Sequence, residues 1–273
     1  DRTSNNDNPL YAKVGDIVTL SFASNEPIQD PPTVVFLNTP GDNRAGAVSG
    51  SGTNWNATYT MQNSDTEGDV DFYIDFIDIA GNNGTRETSL SSGIEIIFDR
   101  YVPELSTVDI SSNNANPALS KVGDVITLAI TADEDIQIPS ITIAGTSIAN
   151  SAITGNDGEK NFTATYTMQS SDNTTAAIGF TIDFSDLANN SGAQKTTLEN
   201  DGDGLNVGFD KQDPGLDLVT IFSNNSNRAG TGNKTGLAIV NDIVTVNFQS
   251  DENLKTGVNP DVLIAGNAAT VVR

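Results

Sequence analysis

The chain has 273 residues, with 13 Lys plus Arg against 36 Asp plus Glu, a formal net charge of −23, and neither His nor Cys. Such a charge repels phosphates, which excludes nucleic acid and anionic membrane surfaces as partners, and it draws in cations. The missing residue types exclude Ser-His-Asp and Cys-His catalysis, imidazole and thiolate metal sites, and disulfides, and the short apolar runs never reach the roughly 20 residues that direct membrane insertion by a helix requires.

Zero cysteines leave the redox compartment open. The chain starts at Asp1 without a basic and apolar leader, which is the pattern expected of a processed or internal segment. The first strong element follows KVGD at 13–16: Val18, Leu20 and Phe22 alternate with Ile17, Thr19 and Ser21. Period-two alternation predicts a half-buried strand. After turn-rich SNEPIQDPP and GSGTN come two more such sets, Trp55, Ala57, Tyr59 and Met61, then Phe72, Ile74 and Phe76. A last strand is expected to carry Ile94, Ile96 and Phe98, and FDRYVP marks a joint.

The same order then returns. KVGD recurs at 121–124, followed by Ile126, Leu128 and Ile130. ATYTMQ at 57–62 recurs at 164–169, Phe180, Ile182 and Phe184 repeat the third set, and Leu205, Val207 and Phe209 precede a second joint, FDKQDP. NDIVTVNF from residue 241 opens a third copy that stops early. The organisation read from this self-similarity is a repeat over 1–100, a second over 101–211, and an incomplete third over 212–273. Either more chain follows or a neighbouring chain completes the third repeat by strand addition.

Short alternating strands in units of about 100 residues predict an all-β chain of tandem immunoglobulin-like sandwiches, arranged as beads on a string. A barrel is the alternative, and the inter-sheet disulfide and adjacent Trp of antibody domains are absent. The motifs KVGDxVTLxF, ATYTMQxSD and IDFxDxAxN, closed by FDK near a proline, resemble the tandem Ig-like repeats of large prokaryotic cell-surface proteins, surface-layer proteins and adhesins among them. The resemblance covers nearly the whole chain. It implies an extracellular, non-enzymatic structural component of a bacterial or archaeal surface, self-associating into a layer, sheath or stalk; the alternative is the stalk of an adhesin that binds a glycan or cell through another module. It also implies calcium at the joints between repeats.

Topology gathers candidate ligands independently of that likeness. In a seven-strand sandwich the loops after the second and sixth strands lie at the end where the chain arrives. Between repeats 1 and 2 this brings Asp99 of the linker toward Asp133 and Glu134 in TADED, and Asp186 and Asn190 in SDLANN. The equivalent end of repeat 1 gathers Glu26, Asp78, Asn82 and Asp1, and the next joint gathers Asp210, Asp213, Asp251 and Glu252. Converging carboxylates with amide and carbonyl oxygens suit Ca²⁺, which accepts six to eight oxygen ligands, with an expected Kd on the order of 0.1 to 1 mM. Taken singly, each loop reads first as turn chemistry, because Asp, Asn and Gly favour tight turns.

Other readings are weaker. A carboxylate pair serves glycoside hydrolysis, but duplicated acidic ends are unlike a single catalytic cleft. Trp55, Tyr59 and Tyr166 suggest a sugar-stacking platform, yet their inward alternation assigns them to the core. Lys13 and Lys121 raise an isopeptide crosslink and read better as solvent-exposed residues beside a turn. Asn-x-Ser/Thr sequons at Asn56, Asn83, Asn161, Asn173, Asn189, Asn224 and Asn233 are candidate glycan positions.

Overall fold

The structure, a computed structural model, describes residues 1–29, 31–37, 43–200, 202, 204–225 and 237–272; Asn233 lies outside them. Two compact units are present, Asp1–Asp210 and Lys211–Arg273. Among the described residues every regular element is a strand except one 3-10 turn at Asn150–Ala152.

The first unit holds two repeats. Repeat 1 contains β1 (Arg2–Ser4), β2 (Tyr11–Ala12), β3 (Ile17–Ala23), β4 (Thr33–Leu37), β5 (Asn43–Ala45), β6 (Ala47–Ser51), β7 (Asn54–Thr60), β8 (Gly68–Asp69), β9 (Asp71–Asp75) and β10 (Ile97–Phe98). Its sheets run β1-β3-β7-β6 and β5-β4-β9, and β2 pairs in parallel with β10, which also pairs with β8. Repeat 2 contains β11 (Leu105–Ser112), β12 (Leu119–Ser120), β13 (Val125–Ile136), β14 (Ser140–Ile143), β15 (Thr146–Ser147), β16 (Ile153–Thr154), β17 (Glu159–Thr167), β18 (Phe180–Asp183) and β19 (Gly208–Phe209). The order repeats: β11-β13-β17-β16 and β15-β14-β18, with β12 parallel to β19.

The period-two faces close into one apolar core per repeat. Val18, Leu20, Ala57, Met61, Phe72 and Ile74 are buried together in repeat 1, and Ile126, Leu128, Ile130, Phe162, Ala164 and Ile182 in repeat 2. Each large side chain removed from water contributes about 1.5 to 3 kcal/mol. With no disulfide, this burial is the main cohesive term. The tyrosines of the shared motif carry a further lock. Tyr59 donates its hydroxyl to the buried Asp65 at 3.0 Å, and Asp65 also accepts the Gln62 amide at 2.6 Å. Tyr166 and Asp172 repeat this at 3.1 Å, with the Gln169 amide at 2.7 Å.

Two expectations need correction. The closing strands are only two residues long, and Ile94 and Leu205 are 36% and 37% exposed while Ile96, Phe98, Val207 and Phe209 are buried. Left-handed residues upstream, Gly93 at φ 110° and Asn200, Gly202 and Gly204 at φ 46°, 81° and 66°, break the extended backbone there. Residues 131–135 do not form a loop either: they continue β13, whose register against β17 shifts between Thr131 and Ile136. That irregularity bends the strand and re-aims its side chains.

The second unit contains β20 (Leu216–Ser223), β21 (Val244–Ser250), β22 (Leu263–Ile264) and β23 (Asn267–Ala268), paired as two antiparallel ribbons. Leu218, Val219 and Ile221 remain 53%, 57% and 66% exposed, so its apolar strands do not enclose a core among the described residues.

Candidate metal centre

The junction of repeats 1 and 2 is built first on a turn that Asp186 closes. Its carboxylate accepts the Asn190 backbone amide and side-chain amide, both at 2.8 Å. Asn189 completes the turn at φ 64°, a left-handed conformation that Asn tolerates. The turn aims three successive carbonyls at repeat 1. Asn8 Nδ2 donates to Leu187 O at 3.1 Å, Asn6 Nδ2 to Ala188 O at 2.8 Å, and Lys13 Nζ to Asn189 O at 2.8 Å. Asn189 Nδ2 returns a bond to Asn6 Oδ1 at 2.9 Å. Lys13 therefore crosses the joint instead of standing in solvent, because the Asn189 carbonyl, with no other donor among the described residues, lies within its reach. Lys121, its counterpart in repeat 2, is exposed.

Beside this clamp three carboxylates converge. Asp99, just after β10, Glu134, on the irregular end of β13, and Asp186 each offer an oxygen, and these atoms lie within 4.8 Å of one another. The placement has a local cause for each. Asp99 is held by its backbone N–H, which donates to Ala12 O at 2.9 Å, and by the Tyr101 N–H, which donates to its Oδ1 at 3.1 Å. Asp186 is tied to β13 by its bridge to Ile136, two residues beyond Glu134. Asn190 Nδ2 also reaches Asp99 O at 3.2 Å, joining linker to turn.

The electrostatics are those of uncompensated negative charge. Burial, then Asp99, Asp186, Asp133 and Glu67, push the Glu134 carboxyl up to about 7. Burial and the neighbouring Asp186 raise Asp99; burial raises Asp186 against the opposing Asn190 bonds and Lys13. Tyr11 rises by burial and by the nearby Asp135, Asp99 and Asp186 charges. Among the described residues no ion pair within 4.0 Å reaches any of the three carboxylates. Asp99 and Glu134 border an open recess of about 660 Å³ that Glu67, Glu104 and Asp133 also line. The donor set is all oxygen, suited to a hard divalent ion.

Asn190 stands beside the group in the Asp186 turn and Asp133 borders the same recess, while the remaining candidate ligands lie elsewhere in the chain. Asp133 lies outside the three-carboxylate group, its Oδ1 capping the Glu104 amide at 2.8 Å. At the far end of repeat 1, Asp78 and Asn82 form the same turn as Asp186 and Asn190, with bonds of 2.8 and 2.7 Å, and Glu26 offers its backbone carbonyl to Ser24. No three-acid group forms there among the described residues. Asp1 pairs backbone to backbone with Ser21, one rung inside the first sheet rather than in a linker position. Asp210 donates its amide to Ser120 O. In the second unit, Asp251 accepts the Gly215 amide at 2.7 Å and Glu252 O accepts the Ser250 hydroxyl at 2.6 Å, while Asp213 is exposed.

Sequence reasoning missed Glu67, which adds charge to the recess, and the Asn6, Asn8 and Lys13 clamp. The only available signal was the recurrence of Asn114, Asn116 and Lys121 at the matching positions of repeat 2.

No protein-family model matches this chain, and no curated protein sequence matches it.

Proposed function

We propose that the chain is a non-enzymatic structural component of a prokaryotic cell surface, built from immunoglobulin-like repeats whose joint is stiffened by bound calcium. The observation that carries this is the convergence of Asp99 from one repeat with Glu134 and Asp186 from the next. A divalent ion there ties the linker, the end of β13 and the Asp186 turn together and removes the repulsion among three carboxylates. The sheet order β1-β3-β7-β6, repeated as β11-β13-β17-β16 and accompanied in each repeat by a second sheet, supports an immunoglobulin-type sandwich. The high negative charge keeps such an array soluble while concentrating cations around it. An extracellular location supplies millimolar calcium, and self-association of such rods yields a layer or sheath.

The test is calorimetric unfolding of the whole chain with calcium, with magnesium and with chelator. A calcium-selective rise in Tm, lost in Asp99→Asn and Glu134→Gln, supports the reading. No rise with either ion reduces the acidic turns to local backbone chemistry. Ordered sheets or filaments seen by electron microscopy with calcium, and absent with chelator, test the assembly part.

A further inference from the structure

Each repeat closes on one short pairing, and the two pairings are secured differently. In repeat 1 the last strand, β10, is two residues long and runs parallel to β2, with Ile97 opposite Tyr11 and Phe98 opposite Ala12. Two backbone bonds hold it there, Ile97 N–H to Leu10 O and Asp99 N–H to Ala12 O, both at 2.9 Å. On its other edge β10 meets the equally short β8. A parallel pairing of this length is weak by itself, yet it delivers Ile96 and Phe98, both fully buried, to the core.

Repeat 2 adds a side-chain lock to the same pairing. Gly208 N–H donates to Ala118 O at 2.9 Å and Asp210 N–H to Ser120 O at 3.0 Å, and the buried Ser120 hydroxyl donates to Gly208 O at 3.0 Å. The register places Ala12 of repeat 1 where repeat 2 has Ser120. Alanine carries no hydroxyl, so repeat 1 cannot form this lock.

What repeat 1 has instead comes from its neighbour. Lys13, directly after β2, donates to Asn189 O at 2.8 Å, and Asp99, directly after β10, accepts Asn190 Nδ2 on its backbone carbonyl at 3.2 Å. Two adjacent residues of one turn thus hold the ends of both paired strands. The turn itself is fixed within repeat 2, by Asp186 on the Asn190 amides and by Gln137 Nε2, which donates to Asp186 O at 2.7 Å and to Asn189 Oδ1 at 2.8 Å. Ala188 in the same turn is fully buried, so the contact excludes water. Arg100 gives the linker a further hold within repeat 1, on Asn63 O at 2.5 Å, but it acts on the β10 side alone.

We propose that the turn of residues 186–190 is a brace for the closing strand of repeat 1, so that the fold of one repeat depends on its contact with the next. Separating the repeats frees the ends of β2 and β10 together and lets Ile96 and Phe98 leave the core. The joint is then a coupling element between two cores, and bending it costs repeat 1 part of its own stability. The brace consists of amide, ammonium and carbonyl groups. It requires neither a bound ion nor the cell-surface reading.

Residue-resolved hydrogen exchange of the whole chain in chelator tests it. Asn190→Ala removes one arm of the brace without changing the charge, and Lys13→Met removes the other while keeping the aliphatic stem. Each should speed exchange of the Ile97 and Asp99 amides by roughly three- to tenfold, the effect of one lost hydrogen bond on a local opening equilibrium, and leave the Gly208 and Asp210 amides as they were. Ser120→Ala should do the reverse, speeding Gly208 and Asp210 and sparing Ile97 and Asp99. Unchanged exchange at Ile97 and Asp99 in both brace variants overturns the proposal. Equal acceleration in the two repeats overturns it as well, because the loss would then be global. Chelator keeps any ion from standing in for a lost arm, so neither result bears on the calcium reading.

Discussion

Lys13 of repeat 1 donates its ammonium to the backbone carbonyl of Asn189 in repeat 2 at 2.8 Å. The bond depends on the left-handed turn at Asn189, which turns the carbonyls of residues 187–189 outward, and that turn is closed by Asp186. One aspartate thus serves two features of the joint. Its oxygens hold the turn that Lys13 reads, and they belong to the carboxylate group beside it.

Removing the clamp should loosen the joint without unfolding either repeat. Lys13→Ala combined with Asn6→Ala deletes bonds that contribute about 0.5 to 1.5 kcal/mol each. The expected outcome is faster limited proteolysis within residues 99–104 and a broader distance distribution by small-angle scattering. Unchanged proteolysis would show that the joint is held by other contacts.

Neutralising single carboxylates separates ligand from turn. Glu134→Gln removes charge from the group while deleting no described hydrogen bond, so it should raise the Tm of the chelated protein at pH 8 and abolish the response to calcium. Asp186→Ala should abolish that response too but lower the chelated Tm, since the Asn190 amides lose their acceptor at a cost of about 1 to 3 kcal/mol. Equal behaviour of the two variants in calorimetry would contradict this division of roles.

The pH dependence without metal should run opposite to that of a salt-bridged acid. Glu134 titrates at about 7 in the folded protein, above its unfolded value, so the folded state holds more protons between the ordinary carboxylate range and pH 7. The stabilisation is full below that range and is lost as pH rises through about 7. Asp99 and Asp186 shift in the same direction. Chelated protein should melt higher at pH 5.5 than at pH 8, with roughly 2 to 4 °C for each kcal/mol. Saturating calcium should reverse the trend, because it binds the deprotonated form. A flat chelated profile would remove the coupling.

The Tyr-Asp lock should matter for each repeat separately. Tyr166→Phe removes one hydroxyl bond at a cost of about 1 kcal/mol, whereas Asp172→Ala also leaves the Gln169 amide without its acceptor and should cost more, about 1 to 3 kcal/mol. Chemical denaturation of both variants checks the order; a larger loss in Tyr166→Phe would refute it.

The sequence by itself determined the long alternating strands of residues 1–210 and their core faces, though not the extent of the closing strands. Val18, Leu20 and their counterparts Ile126 and Leu128 alternate with polar neighbours, and a period of two needs only local geometry to become a buried face. It also determined the oxygen-only chemistry of any metal site, since His and Cys are absent. Which acids meet was decided by the tertiary structure. Asp99, Glu134 and Asp186 converge while Asp133, one residue from Glu134, caps a backbone amide, because successive side chains of a strand leave opposite faces and only the packing of the two repeats decides which face meets the linker. The clamp by Asn6, Asn8 and Lys13 arises the same way. It depends on which end of one repeat abuts the next, a long-range relationship that local alternation does not encode.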